Sequence, residues 1–150
     1  MGASTQVTIF SLCAGLLFGL GWWLWIDSVA YASHIDDPVP VSGAYWIPGI
    51  FGTIAVLLIC ITPTGADDDM IDENRGKRIK AFLLFSFFVG IASILASMWI
   101  LIEVYGGVKK DATDPKSSWP GVAGMLQTLS LFVSALLYRW CKSQSSTDDL

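Results

Sequence analysis

Ala81-Phe82-Leu83-Leu84-Phe85-Ser86-Phe87-Phe88-Val89-Gly90-Ile91-Ala92-Ser93-Ile94-Leu95-Ala96-Ser97-Met98-Trp99-Ile100-Leu101-Ile102 is an unbroken run without a formal charge. A helix rises about 1.5 Å per residue, so about 20 residues cross a hydrocarbon core of roughly 30 Å, and this run is long enough. Arg75, Lys77, Arg78 and Lys80 bound it on one side and Glu103 on the other. Residues 7–26, 45–61 and 121–137 have the same character. The expected fold is all-α: one membrane domain over residues 1–150, with transmembrane helices at about 7–30, 45–63, 79–105 and 119–141.

Composition points the same way. Of the 150 residues, 53% are hydrophobic and only 15% charged, and the mean hydropathy of +0.58 would be hard to keep soluble. The longest polar segment, 63–80, is far below the roughly 50 residues that a separate soluble domain needs. Residues 7–26 have no basic residue ahead of them and no small-x-small cleavage site behind, so they read as a retained helix rather than a signal peptide.

Loop charge predicts orientation, because Lys and Arg are retained on the cytoplasmic side. Arg75, Lys77, Arg78, Lys80, Arg139 and Lys142 fall on one side, against Lys109, Lys110 and Lys116 on the other. Both termini are therefore expected in the cytoplasm. The net charge of −4 argues against nucleic acid as a partner. Cys13, Cys60 and Cys141 are not placed for a lumenal disulfide, although Cys141, beside Trp140 and Lys142, suits juxtamembrane palmitoylation. His34 is the sole histidine, so neither a metal nor any other cofactor is expected.

The chain has the form of a weak repeat. Trp23-Leu24-Trp25-Ile26-Asp27 is echoed by Trp99-Ile100-Leu101-Ile102-Glu103, and Pro48-Gly49-Ile50-Phe51-Gly52 by Pro120-Gly121-Val122-Ala123-Gly124. Each unit is a two-helix hairpin, and an even number of crossings returns to the starting side, so the two hairpins are expected to be parallel. Proline is tolerated in the first turn of a helix, which makes the Pro-Gly-x-x-Gly segments entry signals. Small residues also allow close helix approach, so Gly15, Gly19, Gly49, Gly52, Gly90, Ser93, Ser97, Gly121 and Gly124 are candidates for bundle packing or a partner interface.

Asp27 and Glu103 each follow a Trp by four residues and share its helix face. At a helix end they can be solvated acids, or they can face a polar cavity and accept hydrogen bonds from Ser28, Ser97 or a partner's Arg. Trp22, Trp23, Trp25, Trp46, Trp119 and Trp140 fall near the expected boundaries, where an indole buries its ring and keeps its N–H wet. Gln127, inside the fourth helix, is expected to hydrogen-bond across helices. The segment 66–80 switches from acidic to basic, which would pin the third helix at anionic headgroups and leave the acidic half as a docking surface.

Gly21-Trp22-Trp23 followed by Ile26-Asp27, Gly52-Thr53-Ile54-Ala55, Ile94-Leu95-Ala96-Ser97-Met98-Trp99-Ile100 and Pro120-Gly121 resemble the transmembrane protein 50 family, which includes a fungal vacuolar protein sorting membrane protein. The resemblance spans nearly all of the chain, but the acidic second loop departs from it. It implies a four-helix endomembrane protein of the endosome, vacuole, Golgi or endoplasmic reticulum, without catalytic activity, acting in late-endosome to vacuole or lysosome trafficking beside a second small polytopic membrane protein. Two rivals stay open. One is an accessory subunit of a larger membrane complex. The other is a small transporter or ion-conducting subunit using Asp27, Glu103 and Gln127, although no helix is visibly broken at mid-membrane. An enzyme is disfavoured, because the polar segments hold no nucleophile–base pair, metal cluster or phosphate loop.

Overall fold

The structure is a computed structural model, and it describes residues 3–34, 41–63, 73–106 and 118–148. Every long element is a helix. Helix α1 spans Ala3–Ala32, α2 Ile47–Ile61, α3 Glu73–Ile100 and α4 Trp119–Asp148. All four crossings, Thr5–Ala32, Gly43–Ile61, Asn74–Tyr105 and Trp119–Gln144, are long and apolar enough for a bilayer. The protein is therefore an all-α integral membrane protein, and a lipid bilayer is its environment.

The helices outrun the hydrophobic segments that announce them. α3 begins at Glu73, and α4 continues to Asp148. Charge marks where the bilayer ends, but a backbone already hydrogen-bonded within its helix has no reason to unwind there. α2 is the exception, with only 15 residues. A 3-10 turn at Gly43–Trp46 leads into it, capped by Ser42, whose hydroxyl accepts from the Ala44 N–H at 3.4 Å. At about 2 Å of rise per residue that turn brings the crossing to roughly 30 Å. The acidic residues 67–72, the expected docking surface, lie outside the described residues.

α4 is central, packed against α1, α2 and α3, while α2 also packs along α3. The buried positions of α1, Ala14, Gly21, Trp25, Ser28 and Ala32, recur every three, four or seven residues and face α4. Val56 and Ile59 of α2 meet Leu131 and Ala135 of α4 in the apolar core, with Phe18, Trp22, Cys60, Leu83 and Phe87 around them. Phe87 sets its edge on Phe132 at 6.0 Å.

Lipid tails are as apolar as leucine, so burial of hydrocarbon does little to hold such helices together; close packing and hydrogen bonds must do it. Hydroxyls join the helices in four places. Ser93 donates to the Pro48 carbonyl (2.6 Å), Ser97 pairs with Thr128 (2.8 Å), Ser134 donates to the Ala14 carbonyl (2.7 Å), and the Trp22 indole donates to Thr53 (3.1 Å). Ser28, Thr62 and Ser86 instead donate back to carbonyls of their own helices. Cys141 differs from the exposed juxtamembrane thiol expected of it: it is buried, and its thiol donates to the Val7 carbonyl at 3.1 Å. The helix still faces α1 at that point.

Candidate functional site

Both acids lie outside the bundle. Asp27 and Glu103 are exposed, as are the tryptophans one turn before them: Trp23 is 70% and Trp99 69% accessible. Among the described residues neither carboxylate has a hydrogen-bond or ion-pair partner, and Ser28 and Ser97 bond elsewhere. Neither acid lines the cavity at that end of the bundle.

That cavity lies at the end of the bundle opposite the termini. Trp25 from α1, Tyr45 from the 3-10 turn, Pro48 from the start of α2, Ser97 and Ile100 from the end of α3, Tyr105 from just beyond it, and Gly121, Gly124 and Gln127 from α4 are among its lining residues, and its empty volume, open mouth included, is about 290 Å3. Tyr105 reaches it through a local irregularity. The last five residues of the third crossing, Leu101–Tyr105, form a π-helical turn, wider than an α-turn, and Tyr105 is buried there with 4% exposure. Glu103, in the same turn, points outward.

Trp25 departs from the wet interfacial indole expected of it. It is 2% exposed, with its ring against Trp46 at 5.7 Å and edge-on. It lies on the α1 stripe that faces α4, whereas Trp23 lies outside that stripe. Trp22 and Trp46 are half-buried, Trp119 likewise, and Trp140 is exposed with its ring 5.3 Å from Phe10.

Four buried polar atoms have no hydrogen-bond partner among the described residues: Trp25 Nε1, Tyr105 Oη, Gln127 Nε2 and Arg139 Nη1. The first three belong to residues lining this one cavity. Gln127 thus differs from expectation, since its Nε2 makes no bond across the helices. In a bilayer an unmet donor is costly, because no bulk water stands behind it.

The glycines make room for these side chains. A Cβ on Gly49 would lie 2.7 Å from Gln127 Nε2, one on Gly121 2.5 Å from the Tyr105 ring, and one on Gly124 3.2 Å from the Trp25 ring. Both Pro-Gly-x-x-Gly segments therefore seat side chains that line the cavity, as well as starting helices. Gly52 lies against Ser93 and Leu131, and Gly90 against Phe132. Gly21 escapes the small-xxx-small rule, since Leu17 and Trp25 flank it at four residues, yet it is buried against the Gln127 carbonyl. Gly15 and Gly19 are different: both are exposed, with nothing within 4 Å of an added Cβ.

Comparison with known proteins places these features in a family. Residues 2–149 match the model of a family described as uncharacterised protein family UPF0220. The chain belongs to that family. It is also 30% identical over 131 residues to the transmembrane protein 50 homolog of Dictyostelium discoideum, covering 83% of each chain. No solved structure matches. The resemblance read from the Gly-Trp-Trp and Ala-Ser-Met-Trp-Ile segments is thus confirmed, and this UPF0220 member is related to a transmembrane protein.

Proposed function

We propose that this UPF0220 protein is a non-enzymatic assembly or sorting factor of the endomembrane system, working between late endosome and vacuole or lysosome, that packs through α1 against another small polytopic membrane protein. Both termini lie in the cytoplasm. The observation that carries the reading is the outward pair Gly15 and Gly19, one turn apart on α1 and touching nothing in the bundle. Exposed glycines cost helix stability, about 1 kcal/mol each relative to alanine, and closely packed helix pairs in membranes use such pairs for backbone approach. The relation to a transmembrane protein 50 homolog supports the membrane setting, and the outward acids give a transporter no intramembrane path.

The test is co-purification of tagged full-length protein at native expression in mild detergent, compared with a Gly15→Leu/Gly19→Leu variant. One small polytopic protein held in fixed ratio by the parent and lost from the folded variant is the expected result. A large enzyme or transporter complex that survives the substitutions would make the chain an accessory subunit with another contact face.

A further inference from the structure

We propose that one water molecule is held between Trp25, Tyr105 and Gln127 as a bridge joining α1, the π-turn and α4. Trp25 Nε1, Tyr105 Oη and Gln127 Nε2 are buried, have no hydrogen-bond partner among the described residues, and belong to residues lining the same cavity. Those residues are 2%, 4% and 2% exposed, and each comes from a different crossing. Buried polar groups that do not reach one another are joined by water where space permits, and a buried water makes about three such bonds. The room inside this lining is that of about one water molecule.

Water fits these groups in kind as well as in size. An indole N–H only donates, an amide donates from its NH2 and accepts at its oxygen, and a phenol oxygen does both. Water accepts two hydrogen bonds and donates two, so it takes one from Trp25 Nε1 and one from Gln127 Nε2 and gives one to Tyr105 Oη. With the Gln127 amide turned over, it would donate to the amide oxygen instead. An ion does not suit the site, because no Lys, Arg, His, Asp or Glu lines it. Direct pairing is opposed by the way the side chains are seated. The Trp25 ring stands edge-on to Trp46 at 5.7 Å, and the Tyr105 ring lies 6.4 Å from that of Tyr45. Gly124, Gly121 and Gly49 back onto Trp25, Tyr105 and Gln127 in turn, so closely that an added Cβ would lie no more than 3.2 Å from each. The inference is independent of any partner on α1.

The test is X-ray radiolysis of the full chain in nanodiscs, where a water bound beside a side chain oxidises it although bulk solvent does not reach it. Oxidation is read by peptide mass, and each residue's rate is divided by its rate in the unfolded chain. Trp25 and Tyr105 are expected to be oxidised well above Leu131 and Ile59, which are as deeply buried, at 0% and 1% exposure, and line no part of this cavity. After rapid mixing into water labelled with heavy oxygen, the label should enter their products more slowly than at Tyr31, which is 51% exposed near the same end of α1. Gln127→Met keeps the length of the side chain and removes the amide. It is expected to lower oxidation of Trp25 and Tyr105 roughly 2- to 12-fold, the worth of one hydrogen bond. Trp25 and Tyr105 as protected as Leu131 in the parent would mean direct pairing, with Tyr105 Oη accepting from its neighbours, and would overturn the proposal. Label entering as fast as at Tyr31 would mean open solvent rather than a held molecule, and unchanged rates in folded Gln127→Met would mean that Gln127 binds no water; either result also overturns it. The first two readings come from the parent protein and decide the proposal even if the variant fails to fold.

Discussion

Gly52→Ala and Gly19→Ala make the same chemical change on two helices, and the structure assigns them opposite signs. At Gly19 a methyl group meets nothing within 4 Å, so only the helix-propensity gain of about 1 kcal/mol remains, and the variant should be as stable as the parent or more so. At Gly52 the methyl would lie 3.0 Å from Ser93 Oγ and 3.2 Å from Leu131 Cδ1. Overpacking a well-filled site costs about 1–3 kcal/mol. Moving Ser93 also strains its bond to the Pro48 carbonyl, about 0.6 kcal/mol on average for such bonds and up to about 1.7. After subtracting the propensity gain, the net loss is roughly 1–3 kcal/mol. The assay is reversible unfolding in mixed micelles with increasing denaturing detergent, followed by far-ultraviolet dichroism. A Ser93→Ala background removes the hydroxyl, so the Gly52→Ala penalty should shrink there by the worth of the bond. Equal stability of the two single variants, or a penalty indifferent to Ser93→Ala, would refute the reasoning.

Other outcomes follow from burial alone. Cys13 is exposed and Cys141 is buried with its thiol on the Val7 carbonyl, so an apolar maleimide should modify Cys13 readily and Cys141 only after unfolding, as read by peptide mass. Asp27→Asn combined with Glu103→Gln should leave unfolding and reconstituted ion or solute flux unchanged, because both acids are exposed; a change in flux would restore the transporter reading. Ser134→Ala removes the α4 bond to the Ala14 carbonyl and should cost about 0.6 kcal/mol in the same micelle assay.

Four crossings could be read directly because charge-free length is a one-dimensional property, visible in residues 81–102 without any neighbour. Facing could not. The outward side of α1 carries Leu12, Leu16, Leu20 and Trp23, as apolar as anything inside, so hydrophobicity does not separate lipid from core. The small residues carried more of the signal. Gly49, Gly52, Gly90, Gly121 and Gly124 do mark close approaches, but the same spacing at Gly15 and Gly19 faces out, and Gly21, without that spacing, faces in. The acids drew attention because charge near a membrane is rare, yet a helix end lets them leave the bundle, as Asp27 and Glu103 do. The cavity depended on the π-turn at Leu101–Tyr105, a backbone feature with no composition to announce it, and on the distance in sequence between Trp25 and Gln127.

The outward glycines and the inward donors share α1 but lie on opposite sides of it, and this makes their effects separable. Trp25 and Gly21 belong to the stripe packed on α4, whereas Gly15 and Gly19 do not. Every buried serine and threonine among the described residues, from Ser28 to Ser134, has a partner, and three of the four unmet polar atoms lie at the Trp25 end, the fourth being Arg139 Nη1. Gly19→Leu should therefore weaken partner retention while leaving Cys141 as protected from maleimide as in the parent. The two readouts can be taken from one preparation, by partner stoichiometry and by peptide mass after maleimide treatment. If the variant exposed Cys141 as well, α1 would have shifted along α4, and the Ser134 bond to the Ala14 carbonyl would be strained with it. Cys141 reports that shift, because its thiol bonds the same two helices at Val7 and would become reactive towards maleimide as they slide.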